Sequence, residues 1–509
     1  MIERLGSSPF GISGFALCVP RPRVQLAQWC RWTGRSWPAL QARVGESFRL
    51  CGPGESIYTL AAGAVLRLIR AHDVDPRRVG LLALGTESST DNSAGAVILK
   101  GMLDEALVRL GRPPLARSCE VPEVKHACLG GVYALKAALR YVAGDGRGRQ
   151  AIVVAADRAL YARGSTGEET QGAGAVALLV EEAPRLLTVD LLRAGSVAQY
   201  RGPDFRKPLL GPPAAPGLPA LPRENLEHPV FNGRYTTVCY IDGVRGAVEE
   251  LLARSGLPAR RLYHEVAAVF MHRPYHRLPY NALAALYLWA LREAPEHQEE
   301  LKSHCDAAEV DFGTVMAELA SHPDLYAGFL AGQHGGEVYA AAMQVARHFR
   351  TSAKFAEVVA GKMRLGVQTM RELGNLYSAA LPAWIAAGLV EARAEGVELA
   401  GELLLAIGYG SGDAAEALPL RVVPGWQQAA GRIGLTAALA APLDLDAEQY
   451  AALHAGGAPP GFASEPAGGF AVARVGTAAG PTVWDLGVDY HRFQDEGQRP
   501  DPTGSAVEG

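Results

Sequence analysis

Seven cysteines lie at positions 18, 30, 51, 119, 128, 239 and 305, and one of them, Cys128, sits where a thiol can do chemistry. It opens a run in which Leu129, Val132, Leu135, Ala138 and Leu139 recur at helical spacing. First-turn N–H groups and the helix dipole would stabilise a thiolate there, lowering a pKa that is about 8.5 in a free cysteine. Gly130 and Gly131 leave the sulfur unobstructed. A cysteine in an Ala-rich helix can equally be a small buried hydrophobe, and this stretch by itself leaves both readings open.

Other reactive groups stand at the ends of apolar runs. Val79 to Leu84 has the continuous apolar character of a covered strand and delivers Gly85-Thr86-Glu87-Ser88 at its C-terminal end, where open α/β sheets place ligands. Burial would suit Glu87 to proton transfer, and a turn or capping role is the plainer alternative. Gln150 to Asp157 is a second such run ending in an acid, and Thr170 to Val180 is a glycine turn, near the site, leading into a third. Leu262 to Met271 reads as a strand ending in His272, and Glu402 to Ile407 as one ending in Gly408-Tyr409-Gly410-Ser411-Gly412.

The elements that must position these groups follow from the same pattern. A helix over residues 55 to 71 feeds the Val79 strand, and Ser118 to Val121 suits an extended segment before Cys128. About 280 to 370 reads as helical, with Gly374 to Ser378 opening a further helix. Residues 202–222 hold seven prolines and three glycines, which disfavours a helix or central strand and marks a linker or surface excursion. The chain therefore divides into a half over 1–201, that linker, a second half over 223–494 and a polar tail over 495–509.

At 509 residues, 49% hydrophobic and 20% charged, the chain has the composition of a globular α/β protein of more than one unit. A net charge of −4 gives no general reason to bind nucleic acid or an anionic membrane. The scattered, unpaired cysteine spacing argues for reduced thiols in the cytoplasm and against a structural metal site. No apolar stretch reaches the length of about 18 residues that a membrane span needs, and no dinucleotide fingerprint is present.

Taken together, Gly85-Thr86-Glu87-Ser88, Ala127-Cys128-Leu129-Gly130-Gly131, Thr170 to Ala177, Met271-His272-Arg273-Pro274-Tyr275, Gly374-Asn375-Leu376-Tyr377-Ser378 and Tyr409-Gly410-Ser411-Gly412 resemble, in collinear order, the 3-hydroxy-3-methylglutaryl-CoA synthase family of the thiolase superfamily. The resemblance runs from about residue 45 to 415. It implies a five-layered αβαβα fold of two pseudo-duplicated halves, a homodimer, and no bound cofactor, with coenzyme A thioesters as substrates. It places an acyl-accepting nucleophile at Cys128, a general acid/base at Glu87, and at His272 and Asn375 the groups that polarise the second substrate. Ser411 and Gly410 fall at the oxyanion site, with Tyr377 and Gly172 as further substrate-binding candidates. The chemistry suits these residue types: a cysteine thioester keeps its α-protons acidic, a carboxylate removes one, and N–H donors stabilise the oxygen that gains charge.

The activity implied is condensation of Cys-bound acetyl with acetoacetyl-CoA, without decarboxylation. A close alternative is a β-branching enzyme of specialised, polyketide-type metabolism acting on acyl-carrier-protein-bound β-ketoacyl groups. Further alternatives are a ketoacyl-synthase-III-like condensing enzyme, which would not need Glu87, and an inactive scaffold subunit. The family's lysines that meet coenzyme A phosphates after the histidine are not matched: Arg277 can meet a phosphate, while Tyr280 and Asn281 cannot supply charge. Arg273 and Arg277 can instead be solvated or salt-bridged, and His276 reads as a surface or packing residue.

Overall fold

The structure is a computed structural model that describes residues 5, 6, 8–207, 227–462 and 466–494. Ten strands form one continuous ladder: β1 (Phe10–Cys18), β2 (Val79–Thr86), β3 (Glu123–Lys125), β4 (Gln150–Ala159), β5 (Gly172–Glu182), β6 (Leu187–Val189), β7 (Gly195–Ala198), β8 (Ala268–Met271), β9 (Leu403–Gly410) and β10 (Ala414–Val422). Their order is β8-β9-β10-β6-β1-β5-β4-β2-β3, with β7 also on β10. The parallel pairs β2/β4 and β8/β9 occupy equivalent places in the two parts of the ladder. Such buried parallel strands need both faces covered, which explains why β2, β8 and β9 are buried at every position.

Helices cover those faces in five layers. On β4, Ile152, Val154 and Ala156 join the apolar cluster of helix α1 (Ile57–Ala71), while Ala151, Val153 and Ala155 join that of α2 (Gly130–Ala143). Alternation along one strand thus feeds two separate cores. On its far side α2 meets the second part of the ladder, where a Cβ on Gly408 would approach Leu129 within 2.6 Å and Val132 within 3.1 Å. Helix α3 (Gly233–Ser255) closes the outer face over β7 and β10. Beyond it come α4 (Arg277–Ala290) and α5 (Ala380–Ala394), and α5 joins the middle layer, with Trp384 edge-on to Phe270 of β8 at 6.1 Å. This is the expected αβαβα architecture.

Several expectations need correction. The helix expected over 55 to 71 is α1, begun by a reciprocal cap in which Ser56 Oγ accepts from the Thr59 N–H and Thr59 Oγ1 from the Ser56 N–H. The expected strand Leu262 to Met271 is instead a helix over Ala259–Glu265 followed by the short β8, because Pro258 sets a helix start and Leu262 and Tyr263 turn inward. The extended segment before Cys128 is Glu123–Lys125; within Ser118 to Val121 only Glu120 bridges to a neighbour, Leu81. The glycines after Thr170 stand inside β5 itself.

Two segments cross the expected division at 202–222. β6 and β7, before it, pair with β10. After it, Leu443–Asp444 pair with Pro22 and Arg23, and Phe470 and Phe493 join the core of α1. Phe205–Arg206 pair with Val230–Phe231; Phe205 and Phe231 line the interior site, while Arg206 and Val230 are exposed. Positions 208–222 and the tail 495–509 lie outside the described residues.

Candidate active site

Cys128 lies between β3 and α2, directly after Ala127, whose φ of 40° is a left-handed conformation that costs a non-glycine residue of order 1–3 kcal/mol. The loop can hold it there because α2 approaches β2 closely: a Cβ on Gly85 would meet the Gly131 Cα at 2.6 Å. This approach puts the end of β2, and hence Glu87, beside the thiol. Cys128 Sγ donates to Glu87 Oε2 at 3.2 Å. Glu87 Oε1 in turn forms an ion pair with Lys207 Nζ at 3.0 Å.

The turn that carries Glu87 is built on Asp157, the acid that ends the buried part of β4. Its Oδ1 accepts from Thr86 Oγ1 (3.0 Å), the Glu87 N–H (2.7 Å), the Ser88 N–H (2.9 Å) and Ser88 Oγ (2.6 Å). Its Oδ2 accepts from the Ser378 N–H at 2.9 Å and from Ser378 Oγ. One buried carboxylate therefore ties β2, β4 and the approach to α5 together. Burial and the Glu87 charge push its pKa up, and the Ser378 and Ser88 hydrogen bonds oppose them.

The expected depression of the Cys128 pKa is not found. Burial, then the Glu87 charge, holds the thiol well above its ordinary range, with Lys207 opposing. Two physical reasons account for this: α2 begins at Gly130, so Cys128 precedes the first turn, and the nearest charge is an anion. Cys128 is a neutral thiol with a carboxylate placed to accept its proton, an arrangement suited to nucleophilic attack coupled to proton transfer.

The opposite wall is of another kind. His272 follows β8 and is 2% exposed; burial pushes its pKa down to about 3, so the imidazole is neutral. Its backbone is fixed by its own N–H, which donates to the Ile407 carbonyl at 2.8 Å, and by Tyr240 Oη, which donates to its carbonyl at 2.7 Å. Its Nδ1 is buried without a hydrogen-bond partner among the described residues. Asn375 is buried with its Oδ1 accepting from the Tyr377 N–H at 2.9 Å. Cys128, His272, Asn375, Tyr377 and Ser411 line one cavity of about 240 Å³, walled also by Tyr161, Phe205, Phe231, Tyr240 and Tyr409. Gly410 allows the Ser411 loop to close on Cys128, since a Cβ there would meet Leu129 Cβ at 2.8 Å and the His126 carbonyl at 3.0 Å.

Not every candidate faces this cavity. Gly172 packs on backbone, a Cβ there meeting the Asn375 carbonyl at 2.5 Å, so it seats the Asn375 segment without lining the cavity. Arg273 is not solvated or salt-bridged: it is buried and donates to the Met370 carbonyl at 2.6 Å. His276 is a packing residue, edge-on to Tyr280 at 5.0 Å. Arg277 opens α4 beside the lining residues Tyr275 and Leu278, and it and Arg347 crowd Arg350, whose guanidinium donates to Asn281 Oδ1.

Residues without an assigned role in the sequence also shape the site. Asp157 carried a signal, being an acid at the end of a buried strand like Glu87; Lys207, inside the Pro-rich stretch, carried none. The helix Ala447–His454 buttresses the loop 161–171: Tyr450 Oη donates to Glu168 Oε1 at 2.6 Å, and His454 Nε2 lies 2.9 Å from the Tyr161 carbonyl. Behind the Ser411 loop, Asp204, Cys239 and Asp413 bring ligand-type atoms within 4.8 Å of one another. Tyr409 Oη lies within hydrogen-bond distance of both carboxylates, at 3.0 and 3.2 Å, and Arg201 lies 3.5 Å from Asp413, so protein groups already engage the cluster.

A family model described as hydroxymethylglutaryl-coenzyme A synthase N terminal matches residues 9–184. A hydroxymethylglutaryl-CoA synthase of Haloferax volcanii is 26% identical over 404 residues, 79% of this chain and 80% of that protein. One from Enterococcus faecalis is 28% identical over 327 residues, 64% of this chain and 75% of that protein. Among solved structures, MvaS in complex with 3-hydroxy-3-methylglutaryl coenzyme A is 26% identical with a TM-score of 0.72, over 96% of this chain and 99% of that one. The curacin-pathway HMG synthase in complex with holo donor-ACP shares the fold, at 18% identity and a TM-score of 0.61 over 87% of this chain and 88% of that one. No helix among the described residues is long and apolar enough to cross a membrane.

Proposed function

Because the chain belongs to the hydroxymethylglutaryl-CoA synthase family and is an acyl-transferring enzyme of that type, we propose that it joins acetyl carried on Cys128 to a β-ketoacyl thioester without decarboxylation, with acetoacetyl-CoA as the acceptor. The observation that carries this reading is the pairing of a neutral thiol with Glu87 at 3.2 Å, facing a neutral, buried His272 across one cavity.

In the first step Cys128 Sγ attacks the acetyl thioester carbonyl. Its proton passes to Glu87 Oε2 and then to the departing carrier thiol, as the carbonyl–sulfur bond to the carrier breaks. The cysteine and Ser411 N–H groups receive the oxyanion, a contribution of about 2.7–4 kcal/mol per donor in favourable sites. In the second step Glu87 removes an α-proton from the acetyl group, and the resulting carbon attacks the acceptor ketone. His272 and Asn375 donate to the ketone oxygen, which takes the proton back from Glu87. Water then cleaves the Cys128 thioester, releasing a carboxylate and the thiol. A decarboxylating synthase would generate its carbanion without a carboxylate at Glu87, so this contact favours the non-decarboxylating reaction.

The basic group Arg277, Arg347 and Arg350 at the start of α4 suits the phosphate-bearing end of the carrier. Coenzyme A and a carrier protein's phosphopantetheine both have such an end. The second reading, a polyketide-type reaction on carrier-bound substrates, is favoured by Asn281, whose Oδ1 is engaged by Arg350 and which adds no charge of its own.

Intact-mass measurement after incubation with acetyl-CoA tests the first step: one acetyl on the wild type and none on Cys128→Ala is expected. No adduct from either acetyl-CoA or an acetyl-carrier protein would sink the proposal. Coenzyme A release with acetoacetyl-CoA, against release with acetoacetyl-carrier protein, decides between the two carriers.

A further inference from the structure

We propose that Lys207 is a positioning residue for the reaction's base: it holds one oxygen of the Glu87 carboxylate in an ion pair and leaves the other to exchange protons with Cys128 and its acyl group. This inference rests on the reading of Glu87 as the base.

The geometry is specific. Lys207 Nζ sits 3.0 Å from Glu87 Oε1, while Glu87 Oε2 faces the thiol at 3.2 Å, so the two carboxylate oxygens have separate partners. Both side chains are withdrawn from water, at 16% exposure for Lys207 and 6% for Glu87, so the attraction is weakly screened. The ammonium also lies 4.4 Å from the centre of the Tyr377 ring and 6.0 Å from that of Phe205. Tyr377 is held in turn by Asn375, across its N–H, and has a left-handed φ of 45°. Lys207 is therefore seated between the base of one wall and a residue locked to the other.

The need for a cation follows from the company Glu87 keeps. Its own N–H is bound by Asp157, a fully buried second carboxylate that feels the Glu87 charge. Cys128, Tyr161 and Tyr377 face it as well, and each of these three acidic groups is made harder to ionise by burial first and by the Glu87 charge in addition. Lys207 is the cation set against this group. When Glu87 takes up a proton during turnover, the ammonium loses its ion pair and keeps the Tyr377 π-face, a contact worth about 0.5–2 kcal/mol. When the proton leaves, the ion pair re-forms. Lys207 makes and breaks no covalent bond and transfers no proton.

A tether of the 202–207 segment would need a long side chain there and no charge, which gives the test. Full-length Lys207→Met, Lys207→Gln and Lys207→Arg would be acetylated with acetyl-CoA. Exchange of the acetyl-Cys128 methyl protons with solvent deuterium would then be followed by mass across about pH 5 to 9. In the Met and Gln variants the acid limb of the exchange rate should move up by about one to two pH units, the size expected for losing an opposite charge at this range. At a pH below both limbs, exchange should fall roughly ten- to a hundredfold. Lys207→Arg should restore the limb. A wild-type limb in whichever of the Met and Gln variants folds would overturn the Lys207 role, as would a displaced limb in the Arg variant. Unchanged exchange in Glu87→Gln would instead overturn the reading of Glu87 itself, and the two failures are thereby told apart.

Discussion

The two walls of the cavity solve opposite problems. The Cys128 wall is charged and saturated with hydrogen bonds: Glu87 sits between a thiol and an ammonium, and Asp157 collects six donors from two separate segments. The His272 wall is neutral and dry, with an imidazole stripped of its charge by burial and rings of Tyr240 and Tyr409 packed 4.9 Å apart behind it. A base must hold and release a proton, so its surroundings manage charge. A group that polarises a ketone must donate without competing solvent, so its surroundings exclude water. The cavity thus divides its electrostatics between two walls, as the proposed two-substrate reaction requires.

The sharpest way to break that comparison is to remove one wall at a time. Glu87→Gln keeps the shape and removes the base, so deuterium exchange into acetyl-Cys128 and overall turnover should both fall by about 10²–10⁴. His272→Ala should lower turnover by about 10²–10³, the cost of one well-placed donor. It should leave acetylation and methyl-proton exchange near wild type, because neither step uses the acceptor wall. Loss of exchange in His272→Ala would show that the walls do not act separately.

Much of this division was legible in the sequence, and the failures have physical causes. Glu87, Cys128 and His272 stand at ends of apolar runs, where local pattern exposes them, whereas Asn375 is picked out only by the family resemblance. Asp157 stood at such an end too, but its meaning depends on Ser378, 221 residues away, which periodicity cannot reveal. Lys207 reaches Glu87 from a stretch whose prolines signal only that regular structure is absent. The sequence pattern overstates the acidity of Cys128 because helical periodicity locates a helix and not its first turn. Two residues of displacement remove the dipole's benefit and leave burial and a neighbouring carboxylate in control.

The dry wall should also be the acid-sensitive one. Burial depresses His272 and His276 to about 3, and His72, behind α1, to about 4, whereas unfolded histidine titrates near 6.5. Below about pH 6.5 the unfolded chain takes up protons that the folded chain refuses. These histidines' stabilising contribution is therefore complete above that pH and lost as pH falls towards 4 and 3, by up to about 1.4 kcal/mol per unit for each. Glu55, Asp157, Glu169, Asp204 and Asp413, whose pKas burial raises, work in the opposite sense, so the test is the difference between two chains. Between pH 7 and about pH 5 the urea midpoint of the wild type should fall relative to that of His276→Asn, which keeps a neutral polar side chain outside the reacting set. A difference that is level over this range would contradict the neutral state of His276 in the folded chain.

The smallest expected effect concerns the frame common to both walls. The loop 161–171 supplies cavity residues Tyr161, Gly167 and Thr170, and the helix Ala447–His454 holds it from behind. Tyr450 Oη donates to Glu168 Oε1, which also accepts from Trp29 Nε1 at 3.2 Å, and it accepts from Gln171 Nε2 at 3.0 Å. Tyr450→Phe removes the hydroxyl and keeps the ring that packs edge-on to Phe48 at 6.0 Å. Glu168 retains Trp29, while Gln171 loses its acceptor, so a stability loss of about 1–2 kcal/mol is expected, seen as a lower Tm. No reacting group moves its charge, so kcat should stay near wild type and KM should rise by less than about tenfold as the loop loosens. A fall in kcat as large as that of Glu87→Gln would mean that the C-terminal helix reaches into the chemistry of the charged wall and does more than hold the loop that frames it.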